Sequence, residues 1–291
     1  MAEINITGTS NSVPPVPSPT PSRIEPQRQT IGPDKPVTIV DDTTPILCFF
    51  GPPQCGKTMS IVRLARYLYK KGYKIKPIRS FLPADDEEYE SLCDNFNDIM
   101  FSSEAQPSTP LFDFMLVGVY DERGNNICQI LEAPGEGYFD PDDLEREPPF
   151  RRYVNTVINC PNRKLWIIMV EPDWKGPEMR ARYVERIKYL HKEAKSLGNF
   201  LFLYNKIDKT QFEHSHGVNE SAAIKNVKKH YPGIFEPFRI HGILGLFGGY
   251  DCEFVPFKTG TYYKYDDGGK GYDPSSDIYP RSLWNKIKKY L

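Results

Sequence analysis

Residues 46–60 read ILCFFGPPQCGKTMS. Five apolar residues, Ile46 to Phe50, run directly into Gly51-x-x-x-x-Gly56-Lys57-Thr58, and an amphipathic stretch follows at once. Strand, glycine turn and helix start, in that order, are the context of a phosphate-binding loop. Gly51 and Gly56 permit backbone angles that a Cβ would forbid. The amides from Gln54 through Cys55, Gly56 and Lys57 to Thr58 can then turn inward around a phosphate. That phosphate would sit at a helix N-terminus, where the dipole adds positive potential. Met59, next in the first turn, completes the candidate set. Lys57 would reach the β and γ phosphates, and the Thr58 hydroxyl would ligate Mg²⁺. Pro52 and Pro53 have no N–H to offer, but they precede the cradling amides.

A second stretch bears on the base. Residues 199–208 read NFLFLYNKID: an apolar, aromatic strand, then Asn205-Lys206-Ile207-Asp208 at its C-terminal end. Open α/β sheets bind their ligands at that end. A carboxylate there can accept from both N1–H and the 2-amino group of guanine. Adenine has no such donor pair and would leave Asp208 unpaired, which is strongly disfavoured. Asn205 would tie this loop to the phosphate loop, and the Lys206 stem would lie over the base. The bland alternative is an ordinary polar turn after a strand; the phosphate-loop motif upstream argues against it.

Together these motifs resemble those of Ras-like, TRAFAC-class P-loop GTPases, over roughly residues 45–291. Residues 112–120 (FDFMLVGVY), a turn at 121–126 and residues 127–131 read as a hairpin. Glu132-Ala133-Pro134-Gly135-Glu136 follows it. In the family the second strand of such a hairpin ends in Asp-x-x-Gly. The Asp holds the Mg²⁺ shell, the Gly amide binds the γ-phosphate, and a Gln often follows to orient water. The resemblance therefore implies a metal role for Glu132 beside Thr58. It implies catalytic roles for Gly135 and Glu136 beside Lys57. Glu132 and Glu136 depart from the family's Asp and Gln. For switch I, the family's third metal-shell element, Thr109 in residues 106–110 (QPSTP) is the candidate, with Ser108 in reserve. The guanine-facing loop of the family usually contains Ser-Ala. Here residues 253–256 lead into Phe257-Lys258-Thr259-Gly260, so the pair is missing, and the amides near Phe257 and Lys258 are the candidates to face guanine O6. The resemblance implies GTP or GDP with Mg²⁺ as ligands and a protein partner that reads the switch loops. A catalytically weak nucleotide-binding scaffold stays open on Glu132, Glu136 and the altered loop. A P-loop ATPase or kinase is a third class, against which Asp208 argues.

Strands and helices alternate from residue 45 onward with one hairpin. This pattern implies an α/β fold of three layers, with a mostly parallel sheet and one antiparallel edge strand. The 291 residues, 39% of them hydrophobic, suffice for one large domain with insertions. Lys and Arg total 37 against 38 Asp and Glu, so net charge is no reason to expect nucleic-acid binding. The six cysteines form no Cys-x-x-Cys pair, a pattern of reduced, cytoplasmic proteins. Cys48 and Cys128 read as core residues. Cys55, at a helix N-terminus, is either a redox-sensitive thiolate or plain packing. No run is long enough to span a membrane, and the first twelve residues have neither the basic nor the apolar stretch of a leader.

Residues 1–42 are rich in Pro, Ser and Thr and poor in large apolar side chains, which predicts a disordered tail acting as linker or docking peptide. Residues 43–291 form the GTPase-like domain, with insertions near 80–110, 232–250 and 261–278. The acidic run within 83–108 reads as a helix with a solvated face or as a partner surface. Helices are predicted at 58–71, 150–159, 178–197, 220–231 and 281–291. The last is placed after Pro280. His214 and His216 lack a third ligand at metal spacing and read as a polar loop.

Overall fold

The computed structural model describes residues 36–101, 114–139, 149–172, 174–194, 198–214, 217–240, 249–264 and 270–291. Thr109, Ser108, His216 and most of the expected tail lie outside these residues.

Seven strands form the main sheet: β1 (Ile46–Phe50), β2 (Lys74–Pro77), β3 (Met115–Tyr120), β4 (Asn126–Glu132), β5 (Lys164–Val170), β6 (Gly198–Tyr204) and β7 (Glu253–Pro256). Their order is β7-β6-β5-β1-β4-β3-β2. The pairs from β4 through β1, β5 and β6 to β7 are parallel. The single antiparallel strand is β3, and β2 pairs outside it as the terminal strand. β2 suits an edge: Lys74 and Lys76 are exposed and Pro77 ends it, so it offers little to a further strand. Every residue of β1 and β5 is buried, as continuous apolar strands covered on both faces require.

The helices are α1 (Lys57–Lys70), α2 (Glu87–Asp94), α3 (Phe96–Phe101), the single turn α4 (Gly135–Tyr138), α5 (Arg152–Asn159), α6 (Pro177–Ala194), α7 (Glu220–His230) and α8 (Ile278–Ile287). α1 stops at Gly72, whose φ of 88° suits only glycine cheaply. The amides of Gly72 and Tyr73 return to the carbonyls of Tyr69 and Leu68, a Schellman ending. α8 starts at Ile278, three residues before the predicted start. Pro280 falls within its first turn, where a missing N–H costs nothing. In the acidic insertion, Asp86 caps α2 by accepting from the Tyr89 amide at 3.1 Å. Glu87 and Glu88 face solvent, while Tyr89, Cys93, Phe96 and Met100 join the core.

Residues 36–42, grouped with the tail by composition, are packed. Val37 and Ile39 lie against the core, and the Thr38 amide donates to Phe81 O at 2.9 Å. Asp41 then anchors the chain under the sheet. Its carboxylate accepts from the amides and hydroxyls of Thr43 and Thr44 and from Asn126 Nδ2. Its carbonyl accepts from Gln129 and Asn162, and so does that of Thr44. Burial alone would raise the Asp41 pKa, but the Thr44 and Thr43 hydrogen bonds together outweigh it and hold the carboxyl at about 2, from 3.8. The folded state thus binds its proton more weakly than the unfolded chain. The resulting stability is present above pH ~4 and lost as pH falls toward 2. Discounted for partial exposure, the contribution is about 1 kcal/mol. Asp41→Ala should therefore unfold at lower urea than the native chain at pH 7, and the gap should close as pH drops from 5 to 2.5.

Candidate phosphate and base site

The register lines up the C-terminal ends of five strands along one edge. β1 ends before Gly51, β4 at Glu132, β5 before Glu171, β6 before Asn205 and β7 before Phe257. The described candidate residues lie in the loops at that edge, although they span two hundred positions; Thr109 is outside the described residues.

The loop from Gly51 to Gly56 is wrapped closely. Gln54 and Gly56 both have positive φ, 64° and 89°, and Gly56 is the N-cap of α1. A Cβ on Gly51 would lie 2.6 Å from Cys55 Sγ, and one on Gly56 would lie 2.5 Å from Asn205 Nδ2. No side chain fits at either position, so the backbone at the start of α1 carries no side chain at Gly51 or Gly56, and the Cys55 amide makes only a long bond, 3.5 Å, to Pro52 O. Lys57, buried, folds its ammonium back to donate to Gly51 O and Pro52 O, each at 3.1 Å. This holds the charge at the loop mouth. Met59 is half-buried in the first helical turn. Cys55 is packed rather than reactive: burial, only partly offset by Lys57, pushes its thiol up to about 11.

Thr58 Oγ1 donates to Glu132 Oε1 at 2.6 Å. The longer acid at the end of β4 thus still reaches the first turn of α1. Two hard oxygen donors stand side by side, a set that suits Mg²⁺. Two buried carboxylates, Glu132 and Glu171, flank the loop, and Lys206 pairs with Glu171. A nucleotide's phosphates beside Glu132 would add like charge unless a metal neutralised it.

Gly135 is pressed against the phosphate loop. A Cβ there would sit 2.3 Å from Pro53 N and 2.6 Å from Pro52 C, so only glycine lets the α4 turn meet the loop. Gly137 is packed as tightly on the Tyr153 hydroxyl. Glu136 is half-buried at the same turn, and its charge acts on that hydroxyl, which burial raises well above its ordinary pKa. Arg186 of α6 donates to Tyr138 O at 2.7 Å and lies 3.9 Å over the Phe150 ring, holding both ends of the chain that flank residues 140–148.

On the base side, Asn205 Nδ2 donates to Cys55 O at 3.0 Å, joining the Asn-Lys-Ile-Asp loop to the phosphate loop. Lys206 adopts the left-handed conformation, φ 58°, and its ammonium pairs with Glu171. Asp208 is exposed in the short 3₁₀ turn Ile207–Lys209. The Ile207 amide donates to Phe257 O, which sets the two loops side by side. One expectation is corrected here. The Phe257 amide is committed to Tyr204 O at 2.8 Å, because the chain is still pairing with β6 at that point. Phe257 therefore supplies no amide to a base, and Lys258 remains as the candidate.

Sequence reasoning missed four residues that shape the site: Glu171, Glu213, Tyr279 and Arg63. The one local signal was for Glu171, which follows an apolar strand just as Glu132 does. Among the described residues, no group of three His, Cys, Asp or Glu could hold a metal ion without other ligands, and no helix is long and apolar enough to cross a membrane.

No protein-family model matches the chain, and no curated protein matches it. Solved structures do. A nucleolar GTP-binding protein 1 from Plasmodium falciparum aligns over 88% of this chain and 89% of its own, at 12% identity and TM-score 0.37. The signal recognition particle receptor SRb-GTP/SRX complex from Chaetomium thermophilum aligns over 85% and 99%, at 14% identity and TM-score 0.42. At these scores neither bears on what this chain binds, and the functional reading rests on its own residues.

Proposed function

We propose that the protein binds guanine nucleotide with Mg²⁺ at this edge of the sheet and hydrolyses GTP slowly. The presence or absence of the γ-phosphate would be passed to a protein partner through the segment that begins at Gly135. The observation that carries the reading is the closure of the two loops by Asn205 on Cys55 O, with Asp208 left exposed one residue past the bond from the Ile207 amide to Phe257 O. In this reading the amides from Gln54 to Thr58, with Lys57, hold the phosphates. Thr58 and Glu132 hold the metal, which when bound supplies charge neutralisation to the phosphates. Asp208 reads the base. The Gly135 amide meets the γ-phosphate, which the close approach of Gly135 to Pro52 and Pro53 supports.

Slow turnover follows from Glu136. A residue that orients water must accept from the water and donate toward the transferring phosphoryl group. An ionised carboxylate only accepts, and it adds charge beside oxygens that are already negative. We expect single-turnover phosphate release from the full chain with GTP and Mg²⁺ at or below roughly 10⁻³–10⁻² per second. A partner that donates an Arg should raise it. Release near one per second without a partner would show that Glu136 is not in this role. The same departures from the family, Glu132 and Glu136, favour a second reading, a nucleotide-binding scaffold without turnover. The same assay identifies it by the absence of phosphate release.

A further inference from the structure

The base side of the site is braced from the C-terminal helix. Tyr279, in the first turn of α8, donates its hydroxyl to Glu213 Oε1. The same carboxylate oxygen lies 3.8 Å from Lys258 Nζ, in the loop after β7. Glu213 itself follows Asp208 by five residues, in the short strand Glu213–His214. One oxygen thus joins the loop after β7 and the start of α8 to the short strand that follows the 207–209 turn. The residues just before Tyr279 are held from the phosphate side. Arg63 of α1, fully buried, donates to Ser275 O at 3.2 Å, Ser276 O at 2.9 Å and Asp277 Oδ1 at 3.0 Å. The turn at 275–279 therefore contacts both the helix that follows the phosphate loop and the loops that flank the base.

We propose that Tyr279, acting through Glu213 and Lys258, is a positioning residue for guanine recognition. It would hold the Lys258 loop and Asp208 at the spacing that distinguishes guanine from other bases. The inference rests on the reading that Asp208 receives guanine. Without the Tyr279 hydroxyl, Glu213 Oε1 loses its neutral donor and keeps only the 3.8 Å approach of the Lys258 ammonium. The loop is then free to move relative to Asp208, and displacements of that size weaken directional hydrogen bonds first. Tyr279 is well suited to the task. Burial first, then the hydrogen bond and charge of Glu213 and the charge of Asp208, raise its pKa, so it remains a donor across the working range.

The test is Tyr279→Phe, with Glu213→Gln as a second variant that keeps the shape but removes the charge. Dissociation constants for GDP, IDP (which lacks the 2-amino group) and ADP are measured on the full chain. We expect GDP to weaken about tenfold in Tyr279→Phe, with ADP unchanged. The GDP preference over both IDP and ADP should therefore shrink. In a double-mutant cycle with Lys258→Met, the two losses should fall short of additive by a factor of about five. A merely structural role would lower the melting temperature and weaken all three nucleotides alike. If the native chain prefers GDP and that preference stays within twofold in both variants, this inference is overturned and the base reading stands. Equal native affinity for GDP and ADP would remove the base reading and this inference together.

Discussion

Lys57→Ala should lower the affinity for GTP by about 3 to 5 kcal/mol, roughly a hundredfold to a few thousandfold. On the proposed reading Lys57 would place a full charge between the β and γ phosphates, and each charge-assisted bond there contributes about 1.5–3 kcal/mol. Its position in the fold supports the size of the effect. The ammonium is buried and already turned into the loop by Gly51 O and Pro52 O, so little rotamer freedom is lost when it exchanges these carbonyls for phosphate. Lys206 does not replace it, being paired with Glu171. Lys57→Met, which keeps the stem that fills the loop, should melt near the native chain yet lose the same affinity. Titration with a fluorescent GTP analogue measures both. Unchanged affinity in either variant would remove the phosphate-loop assignment.

The second large effect concerns the base. Asp208→Asn should bind GDP at least about a hundredfold more weakly and gain xanthosine diphosphate. A carboxylate accepts from the two guanine donors, whereas a carboxamide can donate to the extra carbonyl of xanthine. Asp208 is exposed in the middle of a 3₁₀ turn, so the substitution should leave stability within about 0.5 kcal/mol. The change in preference is then a matter of recognition rather than folding. A variant that loses both nucleotides, or keeps GDP, would show that Asp208 does not read the base.

These residues were legible because each motif is contiguous. Gly51 to Thr58 is a single turn whose geometry follows from spacing, and Asn205 to Asp208 follows a strand that its aromatic run makes plain. The placement of both loops on one edge followed from alternating strands and helices. What the sequence did not disclose depends on tertiary pairing. Glu171 meets Lys206 only because β5 and β6 are neighbours in register, Val170 opposite Tyr204. Arg63 lies on the buried side of an amphipathic helix and is matched by carbonyls more than two hundred residues away. Glu213, Lys258 and Tyr279 have no shared pattern in the chain. The fate of Cys55 turned on burial, which overrode the helix N-terminus that would have favoured its thiolate. The packing of residues 36–42 was hidden for a similar reason: two apolar side chains in a polar stretch suffice when Asp41 supplies the hydrogen bonds.

Selection of guanine nucleotide at this edge of the sheet is read out by competition on the native chain. A fluorescent GDP analogue is bound in the presence of Mg²⁺ and displaced with unlabelled GDP, GTP, ADP or ATP. GDP and GTP should displace it at stoichiometric concentrations, and ADP and ATP should fail at a hundredfold excess. Displacement by ATP as readily as by GTP would contradict it.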